Sequence, residues 1–385
     1  MDESSPSWFA AIILTVISPA WRQFVFGALA SLDNMSQITD DYYRKLHSVK
    51  GTIPVNRSSL IKVGAGLFAS ALMLTGCGSS GGSGGGGEEA GGSEPVQIGI
   101  TQIVEHPSLD AARKGFKQAL KENGYENAVF DEQNAQADQA TATTIASQFA
   151  SDNKDLVLAI ATPTAQAAAQ TITDIPVLIT AVTAPVEAGL VDSLEKPGGN
   201  VTGTSDLNPV EKQLSLVKEL APDAKSVGIV YSSGEVNSEV QVKIARKAAK
   251  EMGLKVQEAT VSNSSEVQQA ANSLDVDAIY VPTDNAVVSA LKSVVQVAES
   301  KQIPLIVGEA NSVKGGGVAT YGIDYQKLGY QTGMMAIEVL EGADPASMPI
   351  ETLDDIQLVI NTKAAERMGV EVPQDLLDEA DQVIK

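Results

Sequence analysis

Beyond position 95 the chain alternates short apolar runs with amphipathic segments, and it does so twice, about 128 residues apart. This duplication limits the possible folds more than any other feature. IGI (98–100) leads through a helical segment to KENG (121–124), and VGI (227–229) leads likewise to KEMG (250–253). DIPVLIT (174–180) returns as QIPLIVG (302–308). A period this long is no solenoid; it describes two similar domains.

Ten segments read as strands: VQIGITQI, AVFDEQN, DLVLAIAT, IPVLITAV and NVTGTSD in the first half, then SVGIVYSS, KVQEATVS, AIYVPTD, IPLIVGEA and VATYGID. Between most of them lie segments of helical spacing, such as SLDAARKGFKQALKENG and NSEVQVKIARKAAKEMG, each ending in the Gly that closes a helix. Strands alternating with crossover helices give an α/β class with parallel sheets.

Several helices are expected to open directly after a strand. Thr162 is read as a cap with Pro163 at the first helical position, Asn208 with Pro209 and Glu211 repeats the device, and Thr283 or Asp284 caps a third. In open parallel sheets, ligands collect beyond the carboxyl ends of strands, where these residues lie.

The N-terminal part has a different character. Arg57 and Lys62 precede an uncharged run from Val63 to Thr75, which ends in Leu74-Thr75-Gly76-Cys77. That is the order of parts in a secretory signal, and the run is shorter than the roughly 20 residues that span a bilayer. Cys77 is the only cysteine, so no internal disulfide is available. It is followed by a Gly/Ser-rich segment, 78–94, that reads as a flexible tether of about 20 to 25 Å. Residues 1–56 include the apolar stretch WFAAIILTVISPAWRQFVFGALASL, broken by Pro19 and Arg22. We read the start as assigned too far upstream, with the signal beginning near Val49 or Val55.

Composition excludes several functions. With 27 basic against 48 acidic residues the net charge is −21, which opposes a nucleic-acid partner because phosphate backbones need clustered Lys and Arg. No HExxH, CxxC or P-loop is present, so metal hydrolysis and phosphoryl transfer lack their usual footholds and no metal or cofactor is expected. The one histidine after Cys77, His106, would have to serve any Ser-His-Asp arrangement, and in VEHPS we read it as a partly exposed loop residue. An enzyme using His106 as base is the rival reading. The weight falls on binding without turnover.

Specific strings sharpen this reading: the lipobox-like LTGC, IVEHPSLDAARKGF, LAIATPTAQAAA, TAVTAPVEAGLVDSLEKPGGNVTGTSDLNPVEKQL, DAIYVPTDNAVVSAL and YGIDYQKLGYQTGMMA. Together they resemble the substrate-binding lipoproteins of ABC importers, and in particular the group that includes tryptophan and phenylalanine binders. The resemblance implies a type I periplasmic-binding fold, two Rossmann-like lobes joined by a three-segment hinge with the ligand between them. It places residues 1–76 as leader and lipoprotein signal peptide, 95–205 and 325–352 in lobe 1, and 206–324 and 353–385 in lobe 2. The crossings fall near Thr204 to Leu207, Gly322 to Tyr325 and Leu353 to Gln357. It also implies that Cys77 is acylated and anchors a monomer to the cell membrane on its extracytoplasmic side. The partners would be a small amino acid, aromatic and either tryptophan or phenylalanine, and a membrane permease. A ligand-sensing lipoprotein for a membrane receptor and a binder of another polar solute such as a sugar are the alternatives.

A zwitterion in a closing cleft needs both charges satisfied. Arg113, Arg246 and Arg367 are the only arginines after Cys77, and each sits in a helical segment among other charges, so they read as solvated faces. The carboxylate is therefore expected at hydroxyls and backbone N–H groups near Thr162, Thr164 and Thr183. The ammonium is expected at Asp206 and Asp284, with Glu309 and Asp324 as further acids; Asp324 has the alternative role of capping the helix that follows it, and Glu309 that of bonding a backbone loop. Gln102, Glu105 and Asn285 complete the expected lining.

Overall fold

A computed structural model describes residues 95–385; the leader, Cys77 and the expected tether lie outside the described residues. The first half builds β1 (Gln97–Gln102), α1 (Pro107–Glu122), β2 (Val129–Asn134), α2 (Gln139–Ser151), β3 (Leu156–Ile160), α3 (Thr162–Thr171), β4 (Val177–Val182) and β5 (Val201–Ser205). The second continues with α4 (Val210–Leu220), β6 (Ser226–Ser232), α5 (Val236–Glu251), β7 (Lys255–Val261), α6 (Val267–Ser273), β8 (Ile279–Val281), α7 (Asn285–Ser289), α8 (Leu291–Lys301), β9 (Leu305–Val307), α9 (Ala310–Lys314) and β10 (Ala319–Gly322). After β10 come the long helix α10 (Tyr325–Leu340), β11 (Glu351–Thr352), β12 (Gln357–Asn361), α11 (Thr362–Arg367), α12 (Gln374–Glu379) and β13 (Gln382–Ile384).

The strands form two sheets, ordered β11-β5-β4-β3-β1-β2 and β13-β12-β10-β9-β8-β6-β7. The central strands LVLAI (β3) and VLITAV (β4) are buried throughout, as expected of parallel strands covered by helices on both faces. At the edge, β2 (VFDEQN) is half-exposed and carries charge, which discourages pairing with another chain. Each sheet has its own core, one around Ile98, Ile100, Phe116, Leu158 and Ile179, the other around Val227, Ile229, Tyr280, Leu305 and Ile306. Each such fully buried side chain contributes roughly 1.5–3 kcal/mol.

The chain passes between the sheets three times, after β5, after β10 and between β11 and β12. The last passage forces a departure from the parallel sheets expected from sequence. The chain re-enters the second sheet at the end where β10 leaves it, Gln357 opposite Gly322, so β12 must run antiparallel to β10.

Helix α10 returns to the first lobe and packs on α1 backbone to backbone. A Cβ on Gly329 would lie 1.9 Å from the Ala112 carbonyl oxygen, and one on Gly115 would lie 2.0 Å from that of Gln326. Tyr325, Leu328 and Met335 enter the first core, and Thr332 Oγ1 lies 2.8 Å from Thr204 Oγ1 on β5. Among the described residues no helix is long and apolar enough to cross a membrane.

Candidate functional site

The carboxyl ends of the two sheets face each other across a cavity. From the first lobe come His106, Ser108 and Leu109 after β1, and Ala181 and Thr183 at the end of β4. Asp206 and Tyr325 stand on two of the crossings, while Asn237, Thr283, Asp284, Asn285, Val288 and Glu309 come from the second lobe. These residues surround about 320 Å³ of empty space, mouth included. The space is narrow, with room for a freely placed water over only about 20 Å³, so an amino-acid-sized guest must spread the walls as it enters.

Local sequence explains how the walls are held. β4 bulges against β5 between Ile179 and Val182, with Ala181 at φ 55° and the bulge accommodated by Gly203, whose Cβ would sit 2.1 Å from the Ile179 carbonyl oxygen. Ala161, at the end of β3, also has positive φ, at 82°. A non-glycine residue in this region costs on the order of 1–3 kcal/mol, and such strain gathers at functional sites. The crossings are tied to each other. Asn208 accepts from the Ile323 N–H (3.0 Å) and donates to the Asp206 carbonyl (3.0 Å), while Tyr325 donates its hydroxyl to Asp206 Oδ2 (2.6 Å).

Carboxylates dominate the electrostatics. Asp206 accepts from Thr183 Oγ1 (2.9 Å) as well as from Tyr325; its burial nevertheless raises its pKa. Asp284 accepts from the Ser232 N–H (2.5 Å), Ser238 Oγ (2.6 Å) and the Val287 N–H (2.8 Å). Burial raises Asp284 too. Behind it Glu235, bonded by Asn285 Nδ2 (2.5 Å) and Asn237 Nδ2 (3.0 Å), is pushed up to about 7 by burial and then by the charge of Asp284. Glu309 accepts from Ser108 Oγ (2.5 Å), the Asn311 N–H (2.6 Å) and Ser312 Oγ. No Lys or Arg lines the cavity.

Of the residues expected from sequence, the structure brings together Thr183, Asp206, Asp284, Asn285 and Glu309 in the lining. It leaves out Gln102, whose amide donates to Asp110 and to the Val104 carbonyl, and Glu105, which points to solvent. Thr162 is not a cap: Ala161 holds that position, and the Thr162 hydroxyl, already inside the helix, is buried without a partner. Thr164 turns its hydroxyl back onto the Ile160 and Ala161 carbonyls. Asp324 caps α10 through the Gln326 and Lys327 N–H groups, and Asn208 ties the hinge where a cap was expected. Glu309 bonds backbone not of a loop but of α9, which it caps through the Asn311 N–H, while still facing the cavity.

His106 corrects the exposed-loop reading. It is buried, and Pro107 starts α1 immediately after it, which turns the ring into the cavity wall. Burial lowers its pKa against the opposing pull of Glu309 and Asp110, and its Nδ1 has no protein partner. Ser108, Leu109, Ala181, Asn237, Val288 and Tyr325 were not expected from sequence. Two of them were within its reach: the duplication that sets Ile98 against Val227 carries Ser108 onto Asn237. The arginines are paired on helix surfaces, Arg113 with Asp110 and Glu132, Arg246 with Glu258, and Arg367 with Glu299. Among the described residues no group of three or more His, Cys, Asp or Glu is placed to hold a metal ion.

Two α/β lobes crossed three times by the chain, with a polar cavity between their carboxyl ends, define a hinged solute-binding protein of the type I periplasmic-binding class. The chain belongs to the ABC transporter substrate binding protein family, whose profile matches residues 97–384. Membership gives it a small-molecule ligand and a membrane permease as partners. It is 50% identical over 296 residues to a tyrosine-binding protein of Clostridioides difficile (strain R20291), covering 75% of this chain and 86% of that one. Among solved structures it is similar to an ABC domain in complex with L-Trp from Streptococcus pneumoniae, at 40% identity and TM-score 0.73, over 75% of this chain and 99% of that chain. The ligand-free, open structure of a substrate binding protein with adhesive properties from Clostridium difficile is 48% identical over the same shares, yet its TM-score is 0.59. The match to the L-Trp complex is thus the better one at lower identity, and in this chain Ser108 and Glu309 meet directly across the cavity.

Proposed function

We propose that this chain is the extracytoplasmic component of an ABC importer and that it captures an aromatic amino acid between its lobes, releasing it unchanged to the permease. The observation that carries the reading is a cavity walled by Asp206, Asp284 and Glu309 with no Lys or Arg and a single histidine whose charge burial opposes, beside Leu109, Val288, Ala181 and the Tyr325 ring. Three buried acids without a cation call for a cationic head, and an apolar flank calls for a body to pack on it. An amino acid supplies both. The names of the relatives, a tyrosine binder and an L-Trp complex, point to the aromatic members.

In this reading the ammonium lies among Asp206, Asp284 and Glu309, and the ring lies toward the first-lobe wall. The hinge ties at Asp206, Asn208 and Tyr325 couple ligand contact to lobe closure, since a ligand shifts the equilibrium only by binding the closed form better. The protein acts as a monomer held to the membrane by lipid on Cys77, and no residue of the cavity performs chemistry on the solute. Titration calorimetry of the protein with L-tyrosine, L-phenylalanine, L-tryptophan and a hexose tests the ligand. At least one aromatic amino acid should bind with micromolar or tighter affinity, about −8 kcal/mol, the hexose should not, and mass spectrometry should recover the solute intact. Binding of the hexose alone would overturn the reading. Labelling with a fatty-acid probe, abolished by Cys77→Ser, tests the anchor.

A further inference from the structure

One first-lobe hydroxyl makes two hydrogen bonds across the cleft. Ser108 Oγ donates to Glu309 Oε2 at 2.5 Å and accepts from Asn311 Nδ2 at 3.1 Å. Ser108 lies in the first turn of α1, while Glu309 and Asn311 lie at the start of α9 in the other lobe. Ser108, Glu309 and Ser312 are each at most 2% exposed, so the seam is dry once shut.

The Glu309 carboxylate keeps two donors from its own lobe, the Asn311 N–H and Ser312 Oγ. These fix it in place whether or not the cleft is closed. Its third donor, Ser108, is the one that depends on closure. A preorganised, desolvated carboxylate facing a hydroxyl on the opposite jaw forms a charge-assisted bond at little ordering cost. Val236, at the start of α5 in the second lobe, also packs against the first-lobe core, so apolar contact accompanies the polar seam.

We propose that Ser108 is a positioning residue that latches the cleft, holding a measurable fraction of the protein closed before any solute arrives. The latch does not depend on which solute binds. Because Glu309 stays partnered within its own lobe, loss of the Ser108 hydroxyl changes the open–closed balance without disturbing either fold.

The test is pulsed electron–electron resonance on the full chain without ligand, with one spin label on an exposed helix of each lobe. Wild type should show both a short and a long interlobe distance. Ser108→Ala should shift the ratio about tenfold toward the long one, with unchanged circular dichroism. Asn311→Ala should shift it in the same direction by less. The double variant Ser108→Ala/Glu309→Gln should be no more open than Glu309→Gln alone. A wild type with no short-distance population, or a ratio unmoved by Ser108→Ala, overturns the latch. With L-tyrosine as probe, Ser108→Ala should release ligand about tenfold faster while associating no more slowly. Absence of tyrosine binding in wild type speaks against the ligand reading alone, because the distance measurement stands without it.

Discussion

The two walls of the cavity are built from the same supersecondary plan and carry different chemistry. The second-lobe wall is a set of acids, each locked by donors of its own lobe: Asp284 by Ser232, Ser238 and Val287, and Glu309 by Asn311 and Ser312. The first-lobe wall is Leu109, Ala181 and Thr183 with a neutral-leaning histidine, on a backbone strained at Ala181. Even the positions matched by the duplication diverge: His106 and Ser108 stand in the first lobe where Glu235 and Asn237 stand in the second. A duplicated fold thus supplies one jaw that holds charge and one that offers shape, as a solute with a cationic end and an apolar end requires.

The largest expected effect falls where the two jaws meet. Asp206→Asn keeps the size of the side chain and removes the charge at the hinge, leaving the Thr183 and Tyr325 hydroxyls without a carboxylate to donate to. Removing one charge from a buried charged pair costs about 2–5 kcal/mol, so calorimetry should find solute affinity reduced by about thirtyfold or more. If affinity falls less than threefold, the ammonium is not held at the hinge, and the charge is left to the second wall alone.

Next in size is the response to pH, which belongs to the second wall. Glu235 has a folded pKa raised from 4.5 to about 7, chiefly by burial, and Asp284 is raised in the same sense. An acid raised in this way gives the ligand-free protein stability that is full below about 4.5 and is lost as pH rises through about 7. A bound ammonium favours the ionised pair and so expels a proton. Solute affinity should therefore rise roughly tenfold between about pH 5.5 and 7.5, and calorimetry in buffers of different ionisation heat should detect the released proton. Glu235→Gln should flatten the profile. A profile that stays flat in wild type would mean that the second wall does not meet the cation.

The walls also differ in how far the sequence reveals them. The ten segments read as strands all become strands, and the Val- and Ile-rich ones such as LVLAI are the plainest because they have one way to bury both faces. The short β11 and β13 and the antiparallel β12 escape notice because partners remote in sequence, rather than their own composition, make them strands. In the site, Asp206, Asp284 and Glu309 are visible as acids directly after strands, where few destinations other than a cleft or a helix cap exist. Hydroxyls are ambiguous in a way acids are not. Thr164 bonds back to the end of the strand before its helix and Thr183 reaches Asp206, although both follow apolar strands. His106 is misread because VEHPS looks like an open loop until Pro107 starts a helix that buries it.

The smallest expected effect separates packing from hydrogen bonding on the first wall. Thr183 donates to Asp206 Oδ1 at 2.9 Å and lines the cavity. Thr183→Val keeps the shape and deletes the donor. Asp206 Oδ2 still accepts from Tyr325, so the carboxylate loses one of two side-chain donors and keeps its place. A hydrogen bond of this kind is worth about 1 kcal/mol, which calorimetry should read as a fivefold loss of affinity, close to that of Tyr325→Phe if the two donors share the task. Unchanged or improved affinity in Thr183→Val would show that the first wall acts by shape alone, and the comparison between the walls would become sharper.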